Sequence, residues 1–143
     1  MKEKLVNSKT AKLAKEKGFN ELCLYCYRIS DKVLFDIEWL QEFFSDAEEE
    51  LFVKFNNSKT HYSAPTQSLL QKYIRDVYNI HISIDSYGEG GECKYLYSLS
   101  YTYSADKMIE LELDDLNIVG MNFDTFEEAL EIGLQEELKM IKL

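Results

Sequence analysis

A chain of 143 residues with 45% hydrophobic content, one proline and six glycines has the length of one ordinary domain and the composition of a folded one, which excludes a disordered linker and removes any need for metal or disulfide to fold. Its formal net charge of −10 repels phosphate backbones and anionic membranes and makes a basic protein surface the natural complement. No apolar run approaches the roughly 18 residues of a membrane span, and the N-terminal residues Met1 to Ser8 lack the apolar core of a signal peptide.

A cytoplasmic chain is therefore expected, and the three cysteines, Cys23, Cys26 and Cys93, are expected as free thiols in a reducing compartment. The charge is unevenly spread. Residues 1–20 hold six lysines against Glu3 and Glu16, a balance of +4, whereas the other 123 residues hold 10 basic and 24 acidic side chains, a balance of −14.

In chain order, Ser8 to Lys17 reads as a helix, with Ser8 as N-cap and Gly18 as the stop. Its lysines leave only a narrow stripe of Leu13, Ala14 and Thr10 to pack, so residues 1–20 form a basic, loosely docked helix on a single domain spanning 1–143. Leu22–Ile29 and Val33–Ile37, joined by Ser30-Asp31-Lys32, suggest a hairpin. Trp39 to Phe55 is ambiguous: Leu40, Phe43 and Phe44 suit a helical face, Leu51 to Phe55 a short strand or a second turn, and the run Asp46 to Glu50 is an exposed acidic stretch. A loop at Asn56 to Lys59 follows.

Pro65 opens a second helix, apolar on Leu69, Leu70, Tyr73, Ile74 and Val77. Ile80, Ile82 and Ile84 alternate with His81, Ser83 and Asp85 in a strand. A turn at Gly88 to Gly91 leads to a long strand with Cys93, Tyr95, Tyr97, Leu99, Tyr101 and Tyr103 on one side. Ser104-Ala105-Asp106 breaks it. Met108 to Leu113 reads as a third strand, apolar on Ile109, Leu111 and Leu113, and Ile118-Val119 as a short edge strand. Thr125 and Glu128 form a capping box for a last helix. Phe126, Ala129, Leu130, Gly133, Leu134, Leu138 and Ile141 line its apolar face, and Glu127, Glu131 and Glu136 look outward. Gly133 implies close approach to a sheet. The expected fold is α+β: an antiparallel sheet, made of a hairpin plus a three-strand meander, packed with about three helices in a layered sandwich.

Two stretches carry a resemblance. Ala64 to Arg75, continuing to Ile80-His81-Ile82, resembles a segment of small phage and prophage proteins of Bacteroides-like bacteria. Phe126 to Leu134, through Leu138-Lys139, resembles their C-terminal helix. The order of elements is similar to phage sandwich domains in which helices and sheet stack in layers. The likeness covers residues 61 to 142 and implies a phage-type accessory protein; it brings no catalytic residues.

Four constellations invite chemistry. Cys23 and Cys26 have C-x-x-C spacing, but a zinc site needs two further ligands from Cys93, His61 and His81, and residues three apart on a strand face opposite ways. One of the two histidines, His61 or His81, can be drawn with Asp85 and Cys93 as a cysteine-hydrolase triad, without the nucleophile turn one requires. Asp46, Glu48, Glu49, Glu50 and the pair Asp114-Asp115 lack the spaced ligands of a calcium loop. Gly88-x-Gly90-Gly91 joins strands, whereas phosphate loops open helices. No catalytic, metal or cofactor site is implied.

Three functions remain. The first is an acidic phage-type accessory protein that binds a protein partner and inhibits a host nucleic-acid-binding factor, with Asp46, Glu48, Glu49, Glu50 and the tyrosines Tyr95, Tyr97, Tyr101 and Tyr103 as its interaction residues. The second is a nucleic-acid module using the lysine-rich N-terminus and the tyrosine face; Lys94 is the only basic residue between Arg75 and Lys107, which favours tyrosines packed under a helix instead. The third is an enzyme with an unrecognised site.

Overall fold

The computed structural model describes residues 3–36, 55–88 and 90–142. The ambiguous stretch from Trp39, including Asp46, Glu48, Glu49 and Glu50, lies outside the described residues apart from Phe55. The chain is α+β, with four α-helices and two three-stranded antiparallel sheets among the described residues, and it divides into two compact units, residues 1–67 with 142–143 and residues 68–141.

The N-terminal unit begins with α1 (Ser8–Glu16). Its cap is Asn7 rather than Ser8: the Asn7 Oδ1 accepts from the Thr10 amide at 2.9 Å and from the Thr10 hydroxyl at 3.1 Å, which satisfies one of the orphan donors of the first turn. Thr10, Ala11 and Ala14 are fully buried, and α1 packs on the strand His61–Ser63 through them. Small side chains let the helix come close, so a narrow stripe suffices.

The expected hairpin is present as β1 (Tyr25–Arg28) and β2 (Leu34–Asp36). Its turn is held by an Arg28–Asp31 ion pair, by the Val33 amide donating to Asp31 Oδ1 at 3.3 Å, and by Lys32 in the left-handed region at φ 60. A third strand, β3 (His61–Ser63), not foreseen from the sequence, pairs with the other side of β1 to give the order β2-β1-β3, with Cys26 opposite both Phe35 and Ser63. At three residues it is too short to show a period of two.

In the C-terminal unit, α2 runs Gln67–Tyr78 and starts two residues beyond Pro65, whose carbonyl instead accepts from the Val6 amide at 2.9 Å. Asn79, at φ 58, turns α2 into β4 (Ile80–Tyr87). Gly90 and Gly91, both at positive φ, connect β4 to β5 (Lys94–Tyr101). The third strand of this sheet is not Met108 to Leu113. Residues Ala105–Glu110 form the short helix α3, and the sheet is completed by β6 (Ile118–Phe123), in the order β4-β5-β6. The last helix, α4 (Phe126–Met140), packs on β4, β5 and β6. Thr125 Oγ1 accepts from the Glu128 amide at 3.1 Å, one half of the capping box, while Glu128 Oε2 accepts from the Asp124 amide at 3.3 Å.

Register places Ile80, Ile82 and Ile84 beside Tyr101, Leu99 and Tyr97 on one face. That face is the one α4 covers. A Cβ added to Gly133 would lie 2.0 Å from Ile82 Cδ1 and 3.1 Å from Tyr97 Cγ, and one added to Gly120 would lie 2.1 Å from Tyr97 Cε1. The Tyr97 ring therefore fills the space left by two glycines, one on the helix and one on the neighbouring strand. The burial of α4 is wider than expected. Glu131, Gln135 and Glu137 are buried along with the apolar stripe, so Glu131 does not look outward, while Phe126 at the N-terminal end is exposed.

Candidate interaction surface

The segment between β5 and β6 is largely exposed and carries both apolar and acidic side chains. Ser104 caps α3, accepting at its Oγ from the Lys107 amide at 3.2 Å. At the other end the Leu113 amide donates to the Met108 carbonyl at 2.9 Å and the Glu112 amide to the Ile109 carbonyl at 3.1 Å, with Glu112 at φ 55. This pair of bonds around a left-handed residue is the Schellman motif. It normally uses glycine, because a side chain in that region costs about 1 kcal/mol.

The motif explains why the strand reading failed. A strand would point Ile109, Leu111 and Leu113 to one side. The helical turn and its Schellman stop instead leave Met108 and Leu113 half-buried and send Ile109 and Leu111 to solvent. Ile109 is 76% exposed, the most exposed large apolar side chain among the described residues. No residue of α3 is buried. In the same stretch of chain the carboxylates Asp106, Glu110, Glu112, Asp114 and Asp115 are all exposed. Lys107, paired with Glu110 at 3.4 Å, is the single basic residue of the stretch, so five carboxylates against one lysine leave a balance of −4 over residues 105–116. The sequence signal for α3 was Ser104 followed by Asp106 in the first turn, a cap read as a strand break.

The tyrosines singled out from the sequence lie elsewhere. Tyr97 is 6% exposed beneath α4 and stacks with Phe123 at 5.8 Å; Tyr101 and Tyr103 stack at 6.0 Å. The Tyr103 hydroxyl accepts from Asn79 Nδ2 at 3.1 Å. Tyr95, like Tyr97 and Tyr101, belongs to the helix-covered face.

The other constellations resolve as follows. Cys23 precedes β1 and Cys26 lies within it, so strand alternation does not separate them; both are buried. Burial pushes the Cys23 thiol up to about 11 and the Cys26 thiol up to about 12, the latter helped by Cys23 beside it. Thiols held protonated in this way are poor nucleophiles and poor metal ligands. His81 and Asp85 share the outer face of β4 but stand four residues apart, roughly 13 Å along a strand, and Cys93 lies in the loop before β5. The three do not form a triad. Among the described residues no group of three or more His, Cys, Asp or Glu is placed to hold a metal ion, and no helix is long and apolar enough to cross a membrane.

In the N-terminal unit His61 is held below the ordinary histidine range, first by burial and then by Arg28 and Lys15. Lys15 Nζ donates to the Ser58 and His61 carbonyls, so it secures backbone and is not presented to a ligand.

Glu137 is the remaining unusual group, and nothing in the sequence pattern marks it. It is fully buried, neither carboxyl oxygen has a hydrogen-bond partner among the described residues, and burial raises it from 4.5 to about 8.

No protein-family model, no curated protein and no solved structure matches the chain.

Proposed function

We propose that this chain is an acidic interaction protein whose C-terminal unit binds a basic protein surface. The observation that carries this reading is the segregation of charge between the units. Residues 68–141 hold 15 acidic and 5 basic side chains, whereas the remainder holds 11 of each, so the whole net charge of −10 belongs to the C-terminal unit. Such a field steers basic partners and rejects anionic ones. The likeness of residues 61 to 142 to small phage proteins supports a phage-type accessory role, in which the acidic unit occupies the nucleic-acid-binding surface of a host factor and inhibits it.

A second reading, nucleic-acid binding, is favoured by the exposed lysines Lys4, Lys9 and Lys12 of the N-terminal unit. The tyrosine face adds less to it, because Tyr97 is buried beneath α4 and Tyr95 and Tyr101 share its face of β5.

The test is an affinity pulldown of the full chain from a lysate of its host, with and without nuclease, read by mass spectrometry. A stoichiometric, nuclease-resistant partner with a basic surface, released by salt, is the expected result. A catch lost on nuclease treatment would replace this reading with the nucleic-acid one.

A further inference from the structure

We propose that α3 and the turn after it, residues Ala105 to Asp115, are the element by which the chain docks, with Ile109 as the anchor inserted into an apolar pocket of a basic protein surface. This rests on the reading above and gives it an address. Three observations bear on the occupant. The first is the exposure of Ile109, on a helix that buries none of its residues, and of Leu111, its C-cap. Large apolar groups displayed together with a polar rim mark interaction sites.

The second is the sign and placement of the rim. Asp106, Glu110, Glu112, Asp114 and Asp115 flank Ile109 along the chain, all of them exposed, with a single lysine among them. The rim selects lysine- and arginine-bearing surfaces, and it rejects phosphate backbones, anionic lipid and the acidic unit of a second copy.

The third is the contrast with the remainder of the sheet. On the outer face of β4 and β5, opposite α4, the residues are mostly small or polar, His81, Ser83, Ser98 and Ser100 beside Leu96, and the exposed apolar side chains of this sheet's third strand are Val119 and Met121 of β6. The β6 edge is interrupted at Asn122, at φ 75, where the register with β5 shifts. A bulge of this kind turns an edge away from further strand pairing. The α3 segment combines the most exposed large apolar side chain among the described residues, Ile109, with five exposed carboxylates within eleven residues, Ala105 to Asp115.

A polycation alone is then an inferior ligand to a cation-rich surface that also offers an apolar slot. The test titrates the full chain into two labelled synthetic peptides of equal length and equal charge, read by fluorescence anisotropy in low salt. One interleaves lysine with leucine and the other interleaves lysine with serine.

The wild type should bind the lysine–leucine peptide more tightly. Ile109→Ser should weaken that binding by about tenfold, the effect of withdrawing one buried aliphatic side chain, and should change binding of the lysine–serine peptide less than about twofold on the same basis. Glu112→Lys with Asp115→Lys should weaken both. Because Ile109 is exposed, its substitution does not endanger the fold. Equal binding of the lysine–leucine peptide by wild type and Ile109→Ser would overturn the docking element while leaving the acidic-partner reading intact. Failure of the wild type to bind either peptide would overturn both. A wild-type dimer in sedimentation that Ile109→Ser dissolves would identify a second copy of this chain as the occupant and overturn the assignment to a foreign basic partner.

Discussion

The two units contain the same kind of sheet, three antiparallel strands, yet they are held together by different means. The N-terminal sheet has strands of four, three and three residues. Such short strands bury little apolar surface, and polar side chains bonded to backbone complete the unit. Asn56 Nδ2 donates to the Phe19 carbonyl and its Oδ1 accepts from the Ser63 amide at 2.7 Å; Lys15 ties Ser58 and His61; the Tyr27 hydroxyl donates to the Val6 carbonyl at 2.7 Å. The C-terminal sheet has strands of eight, eight and six residues and lies under one long helix, with Tyr97 seated between Gly120 and Gly133. The difference shows that strand length decides what else must secure a sheet: long strands supply an apolar face, and short ones need individual polar ties.

Substitutions can break this comparison, and the largest effect belongs in the C-terminal core. Leu134→Ala, at a fully buried position of α4, should cost about 3 to 4 kcal/mol through lost transfer energy and the cavity left behind, measured by urea denaturation.

Glu137→Gln should act in the opposite direction. Between pH 4.5 and about 8 the native state keeps a proton that the unfolded chain has lost. Wild-type stability therefore falls as pH rises through that window, by about 1.4 kcal/mol per pH unit at most. The amide removes this dependence, so the variant should match the wild type near pH 4 and exceed it by about 3 kcal/mol at pH 7. Parallel pH profiles of the two proteins would refute the assignment.

Asn56→Ala, which removes two ties to backbone in the N-terminal unit, should cost about 2 kcal/mol. Amide exchange should localise the loss to the residues around Phe19 and Ser63. The smallest effect is a gain. Glu112→Gly relieves the left-handed strain of the Schellman stop and should add about 1 kcal/mol, visible as a small rise in melting temperature.

The same contrast explains how much of the molecule was legible in the sequence. The long periodic elements of the C-terminal unit could be read: the strand around Ile82, the tyrosine-rich strand and the capped last helix all have enough residues for a period to show. The close approach at Gly133 followed from its place on the apolar stripe. Met108 to Leu113 misled because alternation over six residues fits a strand as well as a helical turn closed by a Schellman motif, and only the cap at Ser104 separates them. β3 was missed because three residues hold no period. Glu137 was invisible because a glutamate on a helix reads as a solvated charge unless the full buried arc of that helix is known. Of the interaction residues expected from the sequence, the acidic ones lie outside the described residues and Tyr97 is buried beneath α4, whereas the exposure of Ile109 among neighbouring carboxylates depends on a turn the sequence conceals.

The most direct test of the central claim is a paired pulldown, in the presence of nuclease, of the wild type and of a variant carrying Asp114→Lys and Asp115→Lys. Both positions are exposed, so the fold should tolerate the exchange. The wild type should retain a stoichiometric partner with a basic surface, and the variant should lose it. Retention of the same partner in the same amount by both would contradict the assignment of binding to the acidic C-terminal unit.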